Sequence, residues 1–274
     1  KRAVMYNAVT QYNAPQVKNG SNQFPDKDAT SAIQNALDAA GRDGGGVVYL
    51  PAGRYRISTH LSIPANDELR GAGSGKTGAY TGKGTWLFAY EGENSATPEK
   101  DIACVTVNGN GAGLRCVQFF WEKNPMTGGM QRFPYAVRLN NADNAYVVDC
   151  HFKNAYLGID VADGSDNHYL KSNYGPLGNN FVRVGKSLEG WIEEMYDINP
   201  SAWQIAGQFG PKPPWVGDYR PVWEYTKQNG TTIILNGPSN EHLMGIFTFG
   251  AKYGFYVSSG TADLWNVGND VGGG

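Results

Sequence analysis

The stretch NAYLGIDVADGSDNHYLKSNYGPLGNNFVRVG, residues 154–185, decides the fold. Within it LGIDV and NFVRV fall in register, placing Ile159 and Val161 over Val182 and Val184, 23 residues further on. The column extends in both directions. Val137 and Leu139 of YAVRL lie 22 residues before Ile159 and Val161. Ile233 and Leu235 of TTIIL follow after a longer step, and Phe255 and Val257 of YGFYV come 22 residues after those. Val105 and Val107 of CVTV continue the column upstream. Apolar pairs at i and i+2, recurring at this period, are the signature of a solenoid. Each circuit lays one strand on the previous one, about 4.8 Å away. The apolar pair faces into the coil and the residue between them faces out. The expected fold is therefore all-β, a parallel β-helix.

Only one early segment reads as a helix. In PDKDATSAIQNALDAAGRDGGG, residues 25–46, Asp28 stands at the N-cap and Ala29, Ile33, Ala36, Leu37 and Ala40 recur at helical spacing. Glycines from Gly41 end it. A solenoid leaves an open edge at each end, so this short N-terminal helix is expected to cap the first coil, with residues 1–45 as the cap region of a single domain spanning 1–274. From GVVYLP onward the chain consists of short β-prone runs broken by Gly, Asn and Asp.

The step from Val184 to Ile233 is 49 residues instead of 22 or 23. GWIEEMY is read as a strand completing that coil. The remainder, about 198–229, is an aromatic-rich insertion with a short helix near Arg220 to Gln228. The four tryptophans around it, Trp191, Trp203, Trp215 and Trp223, form either the insertion's own small core or a sugar platform. A smaller insertion, KNPMTGGMQRFP, follows Trp121 and Glu122. The final residues, NVGNDVGGG, contain no cap, so a remaining C-terminal segment or a second chain is expected to complete the helix.

The composition sets limits on function. The chain is 41% hydrophobic and 12% aromatic, enough for a substantial core, and its net charge of −2 gives no drive toward nucleic acid or an anionic membrane. It lacks an apolar run of the roughly 18 residues that a transmembrane helix needs. Cys104, Cys116 and Cys150 sit among alternating apolar residues without metal-ligand spacing and read as core thiols. No histidine pair has ligand spacing, so neither a metal nor a cofactor is expected.

DATSAIQNALDAA, GGGVVYLPAGRYRIS and LRGAG, over residues 24–73, resemble the N-terminal signature of the pectate-lyase-like superfamily of right-handed β-helix proteins. VQFFWEKN, GWIEEMYDINPSAW and NGTTIILNG resemble phrases of bacterial family-28-related glycoside hydrolases. The resemblance implies a secreted protein, extracellular or periplasmic, that acts on a polysaccharide or oligosaccharide. It does not select a reaction, because the superfamily also holds lyases, glucanases and phage tailspikes. The NTD, DD, GHG and RIK stretches of polygalacturonases are absent, and the calcium-binding aspartates of pectate lyases are not recognisable.

The outward residues of the column are Thr106, Arg138, Asp160, Arg183, Ile234 and Tyr256, which puts Asp160 between two arginines. This row is either a ladder that only offsets like charges or a polar track gripping a sugar or a uronate carboxylate. Glycoside hydrolysis needs two carboxylates about 5–5.5 Å apart for retention, or about 6.5–9.5 Å apart for inversion, separations that neighbouring coils supply. The catalytic candidates are Asp160, Asp163, Asp166, Glu193 and Glu194; Asp163 and Asp166 also suit a plain turn. The substrate-binding candidates are Arg138, Arg183, His168, Tyr256, Trp203 and Trp215. Glu122 reads as loop-solvated and His151 as a hydrogen-bonded wall residue. The leading expectation is a glycoside hydrolase with paired carboxylates on adjacent coils. The alternatives are a polysaccharide lyase acting on a uronate-containing glycan and a non-catalytic glycan-binding or tailspike-like module.

Overall fold

The computed structural model describes residues 4–21, 23–73, 83–124, 130–175, 177–197 and 220–270. Its strands form three parallel sheets, and each circuit passes from sheet A to sheet B to sheet C. Among the described residues sheet A has nine strands, from Met5–Asn7 to Ala262–Trp265. Sheet B has eight, from Gly53–Ile57 to Gly268–Asp270, and sheet C has seven, from Leu61–Ile63 to Tyr253–Ser259.

The column read from the sequence is the inner face of sheet C. Val105, Val137, Ile159, Val182, Ile233 and Phe255 are successive register partners, with Leu61 as a further rung upstream. The rungs from Leu61 to Ile233 are fully buried. Opposite them, the inner face of sheet B stacks Phe119 on Phe152 at 5.3 Å, with Phe181 edge-on to Phe152 at 5.8 Å. The outer face of sheet B carries a second cluster of Trp86, Phe88 and Phe120, against which Phe24 of the N-terminal segment packs.

Sheets A and B meet at a corner that the sequence does not announce. Cys116, Asp149, Ser172, Glu194 and Asn266 all take φ between 50° and 60°, and Gly245 takes 67°. Each turns the chain with one left-handed residue, and in all but Asn266, on the last described coil, its N–H donates to a carbonyl of the next coil, as from Ser172 to Glu193 and from Glu194 to Met244. GWIEEMY is therefore two strands, Gly190–Glu193 and Tyr196–Asp197, folded about Glu194.

Helix α1 spans Thr30–Arg42 and buries Ile33, Ala36, Leu37 and Ala40 against the first coil. The Gln34 carboxamide stands in for a missing strand. Its nitrogen donates to the Ser62 carbonyl and its oxygen accepts from the Ser62 N–H, both at 2.9 Å, which satisfies the edge of sheet C. Ala29, not Asp28, occupies the N-cap position, and it makes no side-chain cap. Asp28 instead accepts from the N–H groups of Thr30 and Ser58, both at 3.1 Å, tying the helix start to the loop after Gly53–Ile57. The second helix, α2, spans Arg220–Asn229, where the insertion was expected to hold one. It seats Val222 and Thr226 in the interior.

The cap leaves one carboxylate strained. Asp67 is 1% exposed, its Oδ1 accepts from the Gly46 N–H at 2.9 Å, and its Oδ2 has no partner. Burial raises its carboxyl to about 6 from an ordinary 3.8. A carboxyl raised in the folded state gives a contribution that is fully present below about pH 4 and lost as pH rises through about 6. Stability is expected to fall by on the order of 2 kcal/mol across that window, and Asp67→Asn to flatten that limb of the profile. Urea denaturation at a series of pH values measures it, and a limb of unchanged slope in the variant would refute the assignment.

Candidate functional site

The outer row of sheet C is Ser62, Thr106, Arg138, Asp160, Arg183, Ile234 and Tyr256, each in register with the next. Asp160 is bonded on both sides: Arg138 Nε donates to its Oδ2 and Arg183 Nη1 to its Oδ1, both at 2.7 Å. Its side chain is 5% exposed, against 15% for Arg138 and 28% for Arg183. Arg138 is used further, since its Nη atoms donate to the Glu99 and Asp101 carbonyls and pin that loop to the wall. Arg183 Nη2 lies 3.9 Å from Asp163, a weak contact with an exposed carboxylate. Two guanidiniums therefore face one buried carboxylate, and Arg183 is the more exposed of them. Tyr256 is half exposed two coils further along the same row, with the Tyr253 ring 6.3 Å from its own.

The other nominated carboxylates are also engaged. Asp163 accepts from the Lys186 N–H at 3.0 Å and Asp166 from the Leu188 N–H at 2.8 Å. Asp166 belongs to a stack of turn residues, its own N–H donating to Asp143, whose N–H donates in turn to Asn110. Glu193 accepts from Lys171 at 3.0 Å and from the Tyr169 hydroxyl at 2.8 Å. Glu194 sits at a corner, not in a strand, and accepts from the Ser172 hydroxyl at 2.7 Å.

His168 differs most from the expectation of a substrate contact. It has no exposed surface and points into the coil, where its Nε2 lies 3.0 Å from Glu241 Oε1. A ring sealed inside the helix braces coils and does not meet a glycan at the outer wall. Trp203 and Trp215 lie outside the described residues. Of their companions, Trp191 stacks on His242 at 4.2 Å on the outer face of sheet A, and Trp223 of α2 packs 6.4 Å from Phe249. Glu122 is buried enough for its carboxyl to be raised, and is not loop-solvated as its neighbours suggested.

Several charged groups escape sequence reasoning. Glu241 lies directly above Gly190, which lies above His168, and only this spacing of 22 and 51 residues hinted at a shared column. Lys153, on the outer face of sheet B, is 4% exposed, and burial pulls its ammonium down to about 7. His151, two residues earlier, packs its ring 5.0 Å from Tyr174. Among the described residues, no group of three His, Cys, Asp or Glu side chains could hold a metal ion.

Three parallel sheets, single-residue corners and a helical cap define a right-handed parallel β-helix. Residues 20–89 match the family profile described as rhamnogalacturonase A/epimerase, pectate lyase-like. The chain is 51% identical over 57 residues to the mannuronan C5-epimerase AlgE1 of Azotobacter vinelandii, a match covering 18% of this chain and 4% of the epimerase. It is 49% identical over 57 residues to alginate lyase 7 of the same organism, covering 18% and 7%. The matched stretch is thus a small part of these relatives' length. Among solved structures, DFA-IIIase from Arthrobacter chlorophenolicus A6 in complex with GF2 superposes with a TM-score of 0.58 at 14% identity, over 96% of this chain and 62% of that one. The tailspike of E. coli bacteriophage HK620 in complex with a pentasaccharide gives 0.52 at 11% identity, over 96% and 47%. At these identities the likeness is one of fold alone.

Proposed function

We propose that this chain forms the substrate-binding wall of an extracellular or periplasmic enzyme that works on a uronate-containing polysaccharide, with chemistry at C5 of the uronate. The observation that carries the reading is the outer row of sheet C, where two arginines flank one carboxylate and the Arg183 side chain is 28% exposed. A planar guanidinium suits a sugar carboxylate, and its charge offsets the negative charge that grows on that group when the C5 proton leaves. Once a base has taken the C5 proton, the electron pair left behind either forms the C4–C5 double bond as the C4–O4 bond breaks and the departing O4 takes up a proton, or takes a proton on the opposite face of C5 to give the epimer. The exposure of Tyr256 on the same row supports the reading, since an aromatic ring there offers the polymer a surface to rest on. The family match and the relatives named for mannuronan and alginate support this class of substrate. The paired-carboxylate hydrolase has less support, because each described carboxylate nominated for it is bonded within the chain.

The test is incubation of the protein with polymannuronate, alginate and pectate in heavy water. Deuterium at C5 without a new ultraviolet band means epimerisation; the band together with new reducing ends means elimination. Either is the expected result, with Arg183→Met reducing the rate at low substrate at least tenfold, the scale of one charge-assisted bidentate contact. Reducing ends that appear with neither deuterium nor the ultraviolet band would overturn the reading in favour of hydrolysis.

A further inference from the structure

The outer face of sheet A carries exposed aromatic surface that the sheet C reading leaves unused. Trp191 and His242 are register partners on neighbouring coils, and their rings stack at 4.2 Å. Trp265, one coil further on, stacks on the same imidazole at 5.7 Å. Met244, the register partner of Trp265, stands beside the stack. Trp191 is 37% exposed, Met244 41% and Trp265 47%. Three large apolar side chains gathered at one place on the surface mark a contact site, unlike apolar residues scattered singly. Carboxylates ring this patch. Glu189 Oε1 lies 3.2 Å from His242 Nε2, and Asp263 Oδ2 lies 3.7 Å from His242 Nδ1. Glu193 is on the same face and pairs with Lys171 at 3.0 Å, and Glu194 stands exposed at the adjoining corner. Four carboxylates thus face one lysine and one imidazole, and the rim is acidic whichever form the imidazole takes. His242 is 9% exposed, and its Nδ1 has no hydrogen-bond partner among the described residues. The Glu189 carboxylate only accepts, so Nε2 carries a hydrogen, and in the neutral ring Nδ1 is a lone pair. Nδ1 and Asp263 Oδ2 are then two acceptors 3.7 Å apart with no hydrogen between them. A donor from outside, such as a guanidinium or an ammonium group, satisfies both.

We infer that this patch docks a basic segment of a partner protein. An arginine or lysine of that segment sits at Asp263 and His242 Nδ1, and its apolar neighbours cover Trp191, Met244 and Trp265. Tryptophan and methionine inside a polar rim are the composition of a protein interface, and the acidic rim selects a cationic partner. A sugar platform needs open ring faces, whereas one face of each indole here is turned onto His242. Sheet A is a separate wall from sheet C, so a partner docked there leaves the row of Arg138, Asp160 and Arg183 clear. The inference does not depend on the uronate reading.

Titration of the isotope-labelled chain with a capped peptide of alternating arginine and leucine tests it, followed at the indole N–H signals of Trp191 and Trp265. Two peptides of equal length serve as controls, one with glutamate for arginine and one with serine for leucine. Saturable shifts below about a millimolar are expected with the arginine–leucine peptide. Both controls should bind at least tenfold more weakly, and Trp191→Ala should weaken the first peptide by as much. Asp263→Asn, at an exposed side chain, leaves the rings in place and is expected to weaken binding several-fold, so misfolding of the first variant would not decide the test. A tenfold rise in salt should also weaken binding several-fold. Absence of saturation, equal affinity for either control peptide, or indifference to salt and to Asp263→Asn overturns the inference. A glucosamine trimer that shifts the indole signals as strongly as the peptide would overturn it in favour of a cationic glycan. The same shifts on concentrating the protein alone would overturn it in favour of a second copy of this chain.

Discussion

Gly190→Ala is expected to destabilise the fold by about 3–5 kcal/mol, the cost of overpacking that forces apart a buried hydrogen-bonded pair. His168, Gly190 and Glu241 occupy one inward column of sheet A on consecutive coils. Because Gly190 has no side chain, His168 and Glu241 meet across its coil at 3.0 Å, both fully buried. A Cβ on Gly190 would stand 2.2 Å from His168 Cε1 and 2.4 Å from Glu241 Oε2. The pair has no room to yield. His168 Nδ1 is held 3.0 Å from the Ser165 carbonyl, which can only accept, so this nitrogen carries a hydrogen. The Nε2 to Oε1 contact must then contain one further proton, wherever it resides, and moving either partner strands a polar group. Gly268 is the control, since its added Cβ would meet only the Phe247 ring, at 3.4 Å. Urea unfolding should place Gly268→Ala within about 0.5 kcal/mol of wild type. If Gly190→Ala were equally mild, the buried pair would not be under the constraint described.

Asp160→Ala carries the second large effect, a loss of about 2–3 kcal/mol, below the range for a fully buried pair because both arginines keep some solvent. Removing the carboxylate leaves Arg138 and Arg183 on one wall without their shared acceptor. Asp160→Asn, which keeps the shape, is expected to lose about 1–2 kcal/mol, since one neutral acceptor replaces a charged one. In the proposed function Asp160 positions Arg183 and does not itself react. Asp160→Asn should therefore raise KM while kcat stays within about tenfold of wild type. A fall in kcat of about a thousandfold or more, with folding intact, would instead identify Asp160 as an acid, base or nucleophile.

Sheet C was legible in the sequence because its strands are long, from Tyr135–Leu139 to Thr231–Asn236, and alternate cleanly between aliphatic rungs and polar residues. The Arg138, Asp160 and Arg183 contacts followed from that register alone. Sheets A and B were not legible in the same way. Their strands are often two to four residues long, too short for a period to show. Sheet A also reverses the expected pattern, with His168 and Glu241 inside and Trp191 37% exposed outside. The corners were hidden because Cys116, Asp149, Ser172 and Glu194 share a backbone conformation and no side-chain chemistry. The engagement of the candidate carboxylates was hidden for a related reason. Their partners, such as the N–H groups of Lys186 and Leu188, lie 22 or 23 residues away and are brought close only by the coil.

The single-residue corners separate two properties that most enzymes inherit together. Each bend is fixed by one backbone rotation and, up to Gly245, by a hydrogen bond to the adjacent coil, whatever side chain stands there. A whole circuit can therefore be duplicated or deleted without redesigning its neighbours. Such an event would change the length of polymer the rod can grip by one step of about 4.8 Å and leave the chemistry of the remaining rungs unaltered.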